Sequence, residues 1–416
     1  MKVKIENPVR TTSIALRALI ATLIPQFAFG LSYTWIALSP HAQQEGWSPV
    51  VVGAIFALTP LSSAITLLVG SRLPTILPLR RLCWVGVSLL VAGLAVAFLF
   101  PNEFTFLVFF AMLALGVGYG ITLLASLAAI AQVFPGRIGT AEGMLTAAYS
   151  FAAIAEVPVI GLLIPGHAWI DALRIAGTIV TVLAVIALTF MPSLPPSHED
   201  APGEMVPLHL LKRPRLGTTV LLVVSVAPLG TYATSQVGIY AQHLGLTAVI
   251  ATAAVVVVAL GNTLGRLIGG MASDYFGVNR VLLVIVLMDV LAGVTLWRAS
   301  IAPVLLVASS VVGLACGGLI GVVPPLAKDA APRTFNTASS LLFAGFALGG
   351  FLGPLIGSGL GGGATAWLVL GVLTLIGLVI IVLHLAQSNR QSRQPRKHAD
   401  ELTSSIHAPT KRSIKK

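Results

Sequence analysis

Twelve apolar runs, each about 20 residues long or longer, recur along this chain, and no other feature limits its fold so tightly. Lipid offers a backbone no hydrogen bonds, so a run of that length crosses the hydrocarbon core as a helix. The runs lie near 14–38, 49–69, 82–100, 104–132, 138–164, 169–191, 217–241, 247–271, 281–299, 302–327, 336–360 and 363–386. Breaks fall at Ser39-Pro40, Pro78, Pro101-Asn102, Pro135-Gly136, Pro165-Gly166 and Gly361-Gly362-Gly363. Charge follows the same plan. Only 9% of the 416 residues are charged, against about 25% in soluble domains. More than half of those charges sit in 1–13, 192–216 and 387–416. A soluble enzyme, a secreted domain and a disordered chain are excluded. The fold class is an all-α polytopic membrane protein with twelve transmembrane helices.

The basic residues set the orientation. With the N-terminus inside, Lys2, Lys4, Arg10, Arg17, Arg72, Arg80, Arg81, Arg137, Lys212, Arg213, Arg215, Arg280, Lys328, Arg333 and the basic tail are cytoplasmic. Only Arg174 and Arg298 fall outside, and Arg266 lies within a span. Both termini therefore face the cytoplasm of a plasma membrane (the inner membrane of a bacterium), and the first run acts as a signal anchor. Five regions follow: a cytoplasmic N-terminus 1–13, a six-helix bundle 14–191, a cytoplasmic proline-rich loop 192–216, a second six-helix bundle 217–386 and a basic tail 387–416. The net charge of +11 belongs to this topology and to contact with anionic lipid, not to nucleic acid. A monomer is expected. Cys83 and Cys316 lie inside apolar runs, so no disulfide framework exists.

The two halves are weakly alike. Gly30 with nearby Tyr33 corresponds to Gly230 with Tyr232, the turn at Gly70 to that at Gly270, and Thr140–Leu145 to Thr337–Leu342. Such spacing indicates a duplicated six-helix unit around a central site. After the eighth span stands Gly270-Met-Ala-Ser-Asp274-Tyr-Phe-Gly277-Val-Asn-Arg280. Here Gly270 permits close helix packing, and Asp274 suits a neighbouring helix N-terminus or a basic partner. Gly277 allows the turn and Arg280 anchors at the inner surface. The counterpart from Gly70 to Arg81 keeps the basic pair but lacks the acid. In the eleventh span, Gly349-Gly350-Phe-Leu-Gly353-Pro354 reads first as a packing and bending device.

Ionisable residues inside spans are costly and mark function. Arg266 is the leading one, with Asn262 one turn away on the same face. Its planar fork suits a carboxylate, although a structural salt bridge or gate role is the plainer alternative. Glu142, Tyr149 and Glu156 are spaced by seven and share a face of the fifth span. Glu142 is placed to cap or to pair with Arg137. Glu156, deeper in the span, is the proton-carrier candidate, with a structural pair or a helix-bundle hydrogen bond as the plainer alternative. Asp289 reads as a structural acid. Gln26, Gly30 and Tyr33 form one stripe on the first span, and Trp35 and Trp47 read as interfacial anchors. His41, His167 and His243 have no metal-ligand spacing, and no P-loop or nucleophile constellation occurs. The chain is not read as an enzyme, and no cofactor or metal is implied.

The sequence from Gly270 to Arg280 resembles the cytoplasmic gate motif of the major facilitator superfamily. An arginine in the eighth span, eight residues before Asp274, is similar to that of the oxalate:formate antiporter family and the related monocarboxylate transporters. Gly30-Leu-Ser-Tyr33-Thr-Trp35, Phe134-Pro135-Gly-Arg137, Thr146-Ala-Ala-Tyr149 and His209-Leu-Leu-Lys212-Arg213-Pro214 agree with that resemblance. It implies two bundles that rock about a central site, with Arg266 binding a substrate carboxylate and Tyr33 and Tyr149 lining the cavity. The second cation of the oxalate carriers, a lysine in the eleventh span, is missing from Leu341–Ala347, and their aromatics are missing around Cys316. A dianion would leave one charge unpaired in a low-dielectric site. The expected activity is transport of a small organic anion, a monocarboxylate, coupled to a proton or a counter-anion. Asn262, Tyr33 and Tyr149 would bond its remainder, and a Leu, Phe and Ile wall would enclose it. The alternative is a proton-driven exporter of drugs or other amphipathic compounds, in which Arg266 serves the gate. A sensor keeping the fold without flux is the third reading.

Overall fold

The computed structural model describes residues 8–47, 49–99, 107–108, 110–164, 167–197 and 211–406, and the regular elements among them are all helical. The first span is built from Pro8–Phe29, a 3-10 segment Gly30–Thr34 and Trp35–Gln44. Pro49–Val69 and Leu79–Leu99 form the second and third. The fourth includes a π-wound stretch, Phe110–Gly118, and continues as Tyr119–Val133. Ile138–Leu163 and Trp169–Thr189 complete the first six. The second six are Pro214–His243, Ala248–Phe276, Val278–Trp297, Ala302–Ala330, Phe335–Gly359 and Ala364–Ile406. Among the described residues eleven helices are long and apolar enough to cross a membrane, and the second span contributes a shorter apolar stretch, Leu58–Val69.

Two local expectations are corrected. Ser39-Pro40 does not end the first span, which stays helical to Gln44. The apolar span of the last helix, Ala364–Ala386, falls where it is expected, and the helix continues beyond it to Ile406. Trp35 is buried rather than interfacial, edge-on to Trp169, which Trp47 also meets at 6.0 Å. An aromatic sequestered among helices contributes more through packing than at the headgroups. Residues 1–7, 198–210 and 407–416, with parts of the expected N-terminus, central loop and tail, lie outside the described residues.

We call the face on which the first span begins the near face, and the opposite one the far face. The two bundles meet in their near halves. Ala64 of the second span packs with Ala344 and Ala347 of the eleventh. The fifth and eighth spans cross backbone to backbone: a Cβ on Gly143 would sit 2.7 Å from the Arg266 carbonyl, and one on Gly270 would strike the Gly139 carbonyl. Small residues allow that approach, which van der Waals packing then holds in the absence of a hydrophobic drive in lipid.

Within the second bundle, Gly261, Gly265 and Gly269 of the eighth span face Gly313, Gly317 and Gly321 of the tenth. A Cβ at any of the six would meet the other helix's backbone within 3 Å. This seam, four residues to the step, fixes the eighth span against the tenth and with it Asn262 and Arg266. In the eleventh span Gly349, Gly353 and Gly357 pack on Ala227, Pro228 and Tyr232 of the seventh, consistent with a packing device.

Candidate functional site

The site grows from the break in the first span. Pro25 removes one helical donor, and at Gly30 the first span lies so close to the fifth that a Cβ would strike Ala152 and the Tyr149 carbonyl. The chain tightens there into 3-10 winding, with Thr34 Oγ1 donating to the Leu31 carbonyl at 2.6 Å. The stripe expected for Gln26, Gly30 and Tyr33 therefore separates. Gln26 is fully buried inside the bundle, whereas Tyr33 is half-buried and lines a central cavity.

Arg266, Asn262, Tyr33 and Tyr149 come together. Arg266 is 3% exposed in the eighth span, at the meeting of the bundles. Its Nε donates to Asn262 Oδ1 at 2.9 Å, one Nη1 hydrogen goes to the Thr146 main-chain carbonyl at 2.6 Å, and Nη2 lies 3.5 Å from Tyr33 Oη. The guanidinium carbon is 5.7 Å from the Tyr149 ring centre, within cation–π range. Tyr149 is held by a 2.7 Å bond with Ser32 Oγ and by ring contacts with Tyr33 and Tyr119 at 5.3 and 4.6 Å.

Among the described residues no carboxylate forms an ion pair with Arg266, so the salt-bridge alternative finds no partner there. A guanidinium has five N–H donors. Three are engaged, which leaves one on Nη1 and one on Nη2. That pair of donors has the spacing of a carboxylate's two oxygens. A buried positive charge without a counter-ion is costly, and an anion supplied by solution relieves the cost.

On the far side of Arg266 a small cavity lies between the first, fifth, seventh and eighth spans. Tyr33, Ser150, Ala153, Thr234, Val255, Ala259 and Asn262 line it; Tyr149, expected to line it too, is not among them, its ring being packed against Tyr33 and Tyr119. Among the described residues that line this cavity the expected Leu, Phe and Ile wall is missing. Ile320, Leu341 and Phe343 are buried in the hydrophobic core where the bundles pack, and the close helix crossings leave small side chains and hydroxyls to face the cavity.

Glu156 is 4% exposed in the fifth span, two turns beyond Tyr149, and neither carboxyl oxygen has a hydrogen-bond partner among the described residues. It is not a member of the Arg266 cluster. Glu142 is fully buried near the start of the fifth span. Asp289 accepts from Thr374 Oγ1 at 3.0 Å inside the second bundle.

At the near face, Asp274 closes the N-terminus of the fifth span. Oδ1 accepts from Gly139 N at 3.1 Å, and Oδ2 accepts from Thr140 N and Thr140 Oγ1, each at 2.7 Å. A carboxylate there satisfies orphan donors and meets the positive end of the helix dipole. Gly270 lies in the helix crossing, Gly277 has φ +84° in the turn after the eighth span, and Arg280 is exposed.

Sequence reasoning missed the Thr146 carbonyl, Ser150, Thr234 and Cys316. A main-chain acceptor and two hydroxyls within apolar runs leave no pattern. The glycines at 313, 317 and 321, matching 261, 265 and 269, were the available signal that the tenth span presses on Asn262.

The sequence model of the Major Facilitator Superfamily matches residues 19–258 and 220–415. An uncharacterized MFS-type transporter of Escherichia coli K12, YhjX, is 25% identical over 319 residues, which span 75% of this chain and 79% of that protein. Among solved structures, the superfamily transporter FucP in its outward conformation superposes with a TM-score of 0.69 at 17% identity, covering 89% of this chain and 99% of FucP. The proton:xylose symporter XylE superposes with a TM-score of 0.65 at 14% identity, covering 90% and 96%. At these identities the two structures speak for the fold alone.

Proposed function

Because the chain belongs to the major facilitator superfamily, and is thus a multi-pass membrane transporter and not an enzyme, we propose that its cargo is a small organic anion with one carboxylate. One observation carries this reading: buried Arg266 keeps an N–H free on each Nη and has no carboxylate partner among the described residues. The resemblance of the eighth-span arginine to the oxalate:formate and monocarboxylate families supports the same cargo.

In this reading the carboxylate docks on Arg266 from the far side. Tyr33, Asn262 and the hydroxyls of Ser150 and Thr234 face the rest of the molecule. With the near face cytoplasmic, as the basic residues favour, the cavity belongs to the outer side of a plasma membrane. Transport then requires the near-half contacts to part. Gly139 and Gly143 leave Gly270 and Arg266, the Asp274 cap releases, and the Thr146 carbonyl lets go of Arg266. Glu156, buried and unpartnered, is the group placed to carry a proton, and a counter-anion is the other coupling. The names of FucP and XylE raise proton-coupled uptake of a neutral sugar, but a sugar would leave Arg266 uncompensated. A cationic drug would be repelled by it.

The test is uptake into proteoliposomes of radiolabelled lactate, pyruvate and glycolate, with fucose and xylose beside them. Uptake of at least one monocarboxylate, competed by the others, is expected. Sugar uptake with no carboxylate uptake would overturn the reading.

A further inference from the structure

We propose that Cys316 is a positioning residue for the anion site, acting through Asn262 on Arg266. The proposal rests on the reading of Arg266 as the carboxylate anchor, but its geometry stands apart from the cargo. Arg266 Nε can only donate, so the Asn262 oxygen must turn toward it, at 2.9 Å. That orientation sends the amide nitrogen the other way, where Nδ2 donates to Cys316 Sγ at 3.6 Å. Asn262 is thereby held at both ends.

The thiol is held as well. A Cβ on Gly230 of the seventh span would lie 2.7 Å from Cys316 Sγ, so only a glycine there leaves room for it. Gly317, the next residue, lets the tenth span press directly on the Asn262 backbone. Cys316 is 4% exposed and Asn262 5%, so no bulk water replaces the thiol if it is removed. An amide N–H in such a place, deprived of its acceptor, reorients to find another. The Asn262 oxygen then no longer fixes the plane of the guanidinium, and the two free N–H groups lose their aim. A buried cysteine that served only as a small apolar filler would behave differently, because a hydroxyl in its place would be unfavourable.

The experiment follows phenylglyoxal modification of the purified full-length protein by peptide mass spectrometry, with exposed Arg298 as the internal reference. Cys316→Ala and Asn262→Ala should each speed modification of Arg266 about fivefold as the guanidinium loosens, with Arg298 unchanged. Cys316→Ser, which keeps an acceptor, should match the wild-type rate. The double variant should be no faster than Asn262→Ala alone, because both lesions break one relay. An unchanged rate in Cys316→Ala, additivity in the double variant, or a serine variant as fast as the alanine one would overturn the proposal. If the alanine variant melts early, the serine variant decides: a wild-type rate supports the relay, and a raised rate refutes it. A separate arm adds lactate to the wild-type protein. Failure of lactate to protect Arg266 counts against the monocarboxylate reading and leaves the relay result standing.

Discussion

Arg266 of the second bundle donates to the main-chain carbonyl of Thr146 in the first at 2.6 Å, so the cation that would hold the cargo also ties the two bundles together. Its remaining hydrogen bonds reach Asn262 beside it and Tyr33 across the interface. In the proposed reading binding and closure share one side chain, and a substitution there should disturb both.

Replacing Arg266 by Lys keeps the charge but loses the fork. A lysine cannot serve Asn262, Thr146 and a carboxylate in their present directions. Carboxylate uptake should fall at least about tenfold, equivalent to about 1.4 kcal/mol, while the melting temperature stays within a few degrees. Near-normal uptake with Lys or Gln would remove Arg266 from the site.

A site with one cation should discriminate by charge. Neither the cavity lining nor the groups bonded to Arg266 include a second Lys, Arg or His. Oxalate and malonate should therefore compete poorly with a monocarboxylate of similar size, by about tenfold or more in inhibition constant. Equal competition would show that another cation completes the site.

The glycines divide into two classes that a pair of variants separates. Gly265 is locked into the seam between the eighth and tenth spans, within one bundle, where a Cβ would strike the Leu314 carbonyl. Gly265→Ala should lower the melting temperature by several degrees through overpacking of about 1–3 kcal/mol. Gly270 instead lies between bundles, against Gly139 and Gly143. Gly270→Ala should leave the melt nearly unchanged and increase labelling of a cysteine placed at Ser273 from the near face. Equal destabilisation by both would mean that the bundles do not part at this crossing.

Much of this architecture was legible in the primary structure because the period of apolar runs, their punctuation and the bias of Lys and Arg are all one-dimensional signals. Arg266, Asn262, Tyr33 and Tyr149 could be named because a charge in a span is conspicuous and its neighbours follow helical spacing. Winding is not one-dimensional. Nothing in the run 14–38 distinguishes the 3-10 turn at Gly30–Thr34 from α-helix, yet that turn separates Tyr33 from Gln26. Trp35 was misjudged for a related reason: depth along a helix says nothing of whether lipid or Trp169 faces the ring. The cavity wall depended on which faces the glycine crossings bring together.

Asp274 accepts three hydrogen bonds from Gly139 and Thr140, and in the proposed gate role these bonds hold the near face closed. Asp274→Ala should cost the closed form about 1 kcal/mol, within the range for loss of an N-cap. That corresponds to roughly a fivefold shift toward the near-open form, measured as faster near-face labelling at the same Ser273 position. Asp274→Asn, which keeps the acceptor oxygen and loses the charge, should fall between. An unchanged rate in both variants would make the cap irrelevant to closure.

The proposed proton role of Glu156 concerns a buried carboxyl that has no hydrogen-bond partner among the described residues and whose helix also carries Tyr149 and Thr146. Glu156→Gln preserves shape and hydrogen-bonding capacity and removes only the ability to gain and lose a proton. If Glu156 carries the proton, accumulation driven by a pH gradient should disappear in this variant. Exchange of internal for external substrate should continue, because exchange needs the site and the rocking motion but no net proton movement. Both modes are read in the same proteoliposomes, by imposing a pH step in one series and preloading unlabelled substrate in the other. Loss of both would indicate that Glu156 supports the fold or the site itself. Survival of both would make it a buried structural acid and leave a counter-anion, bound in turn at Arg266, as the driving partner.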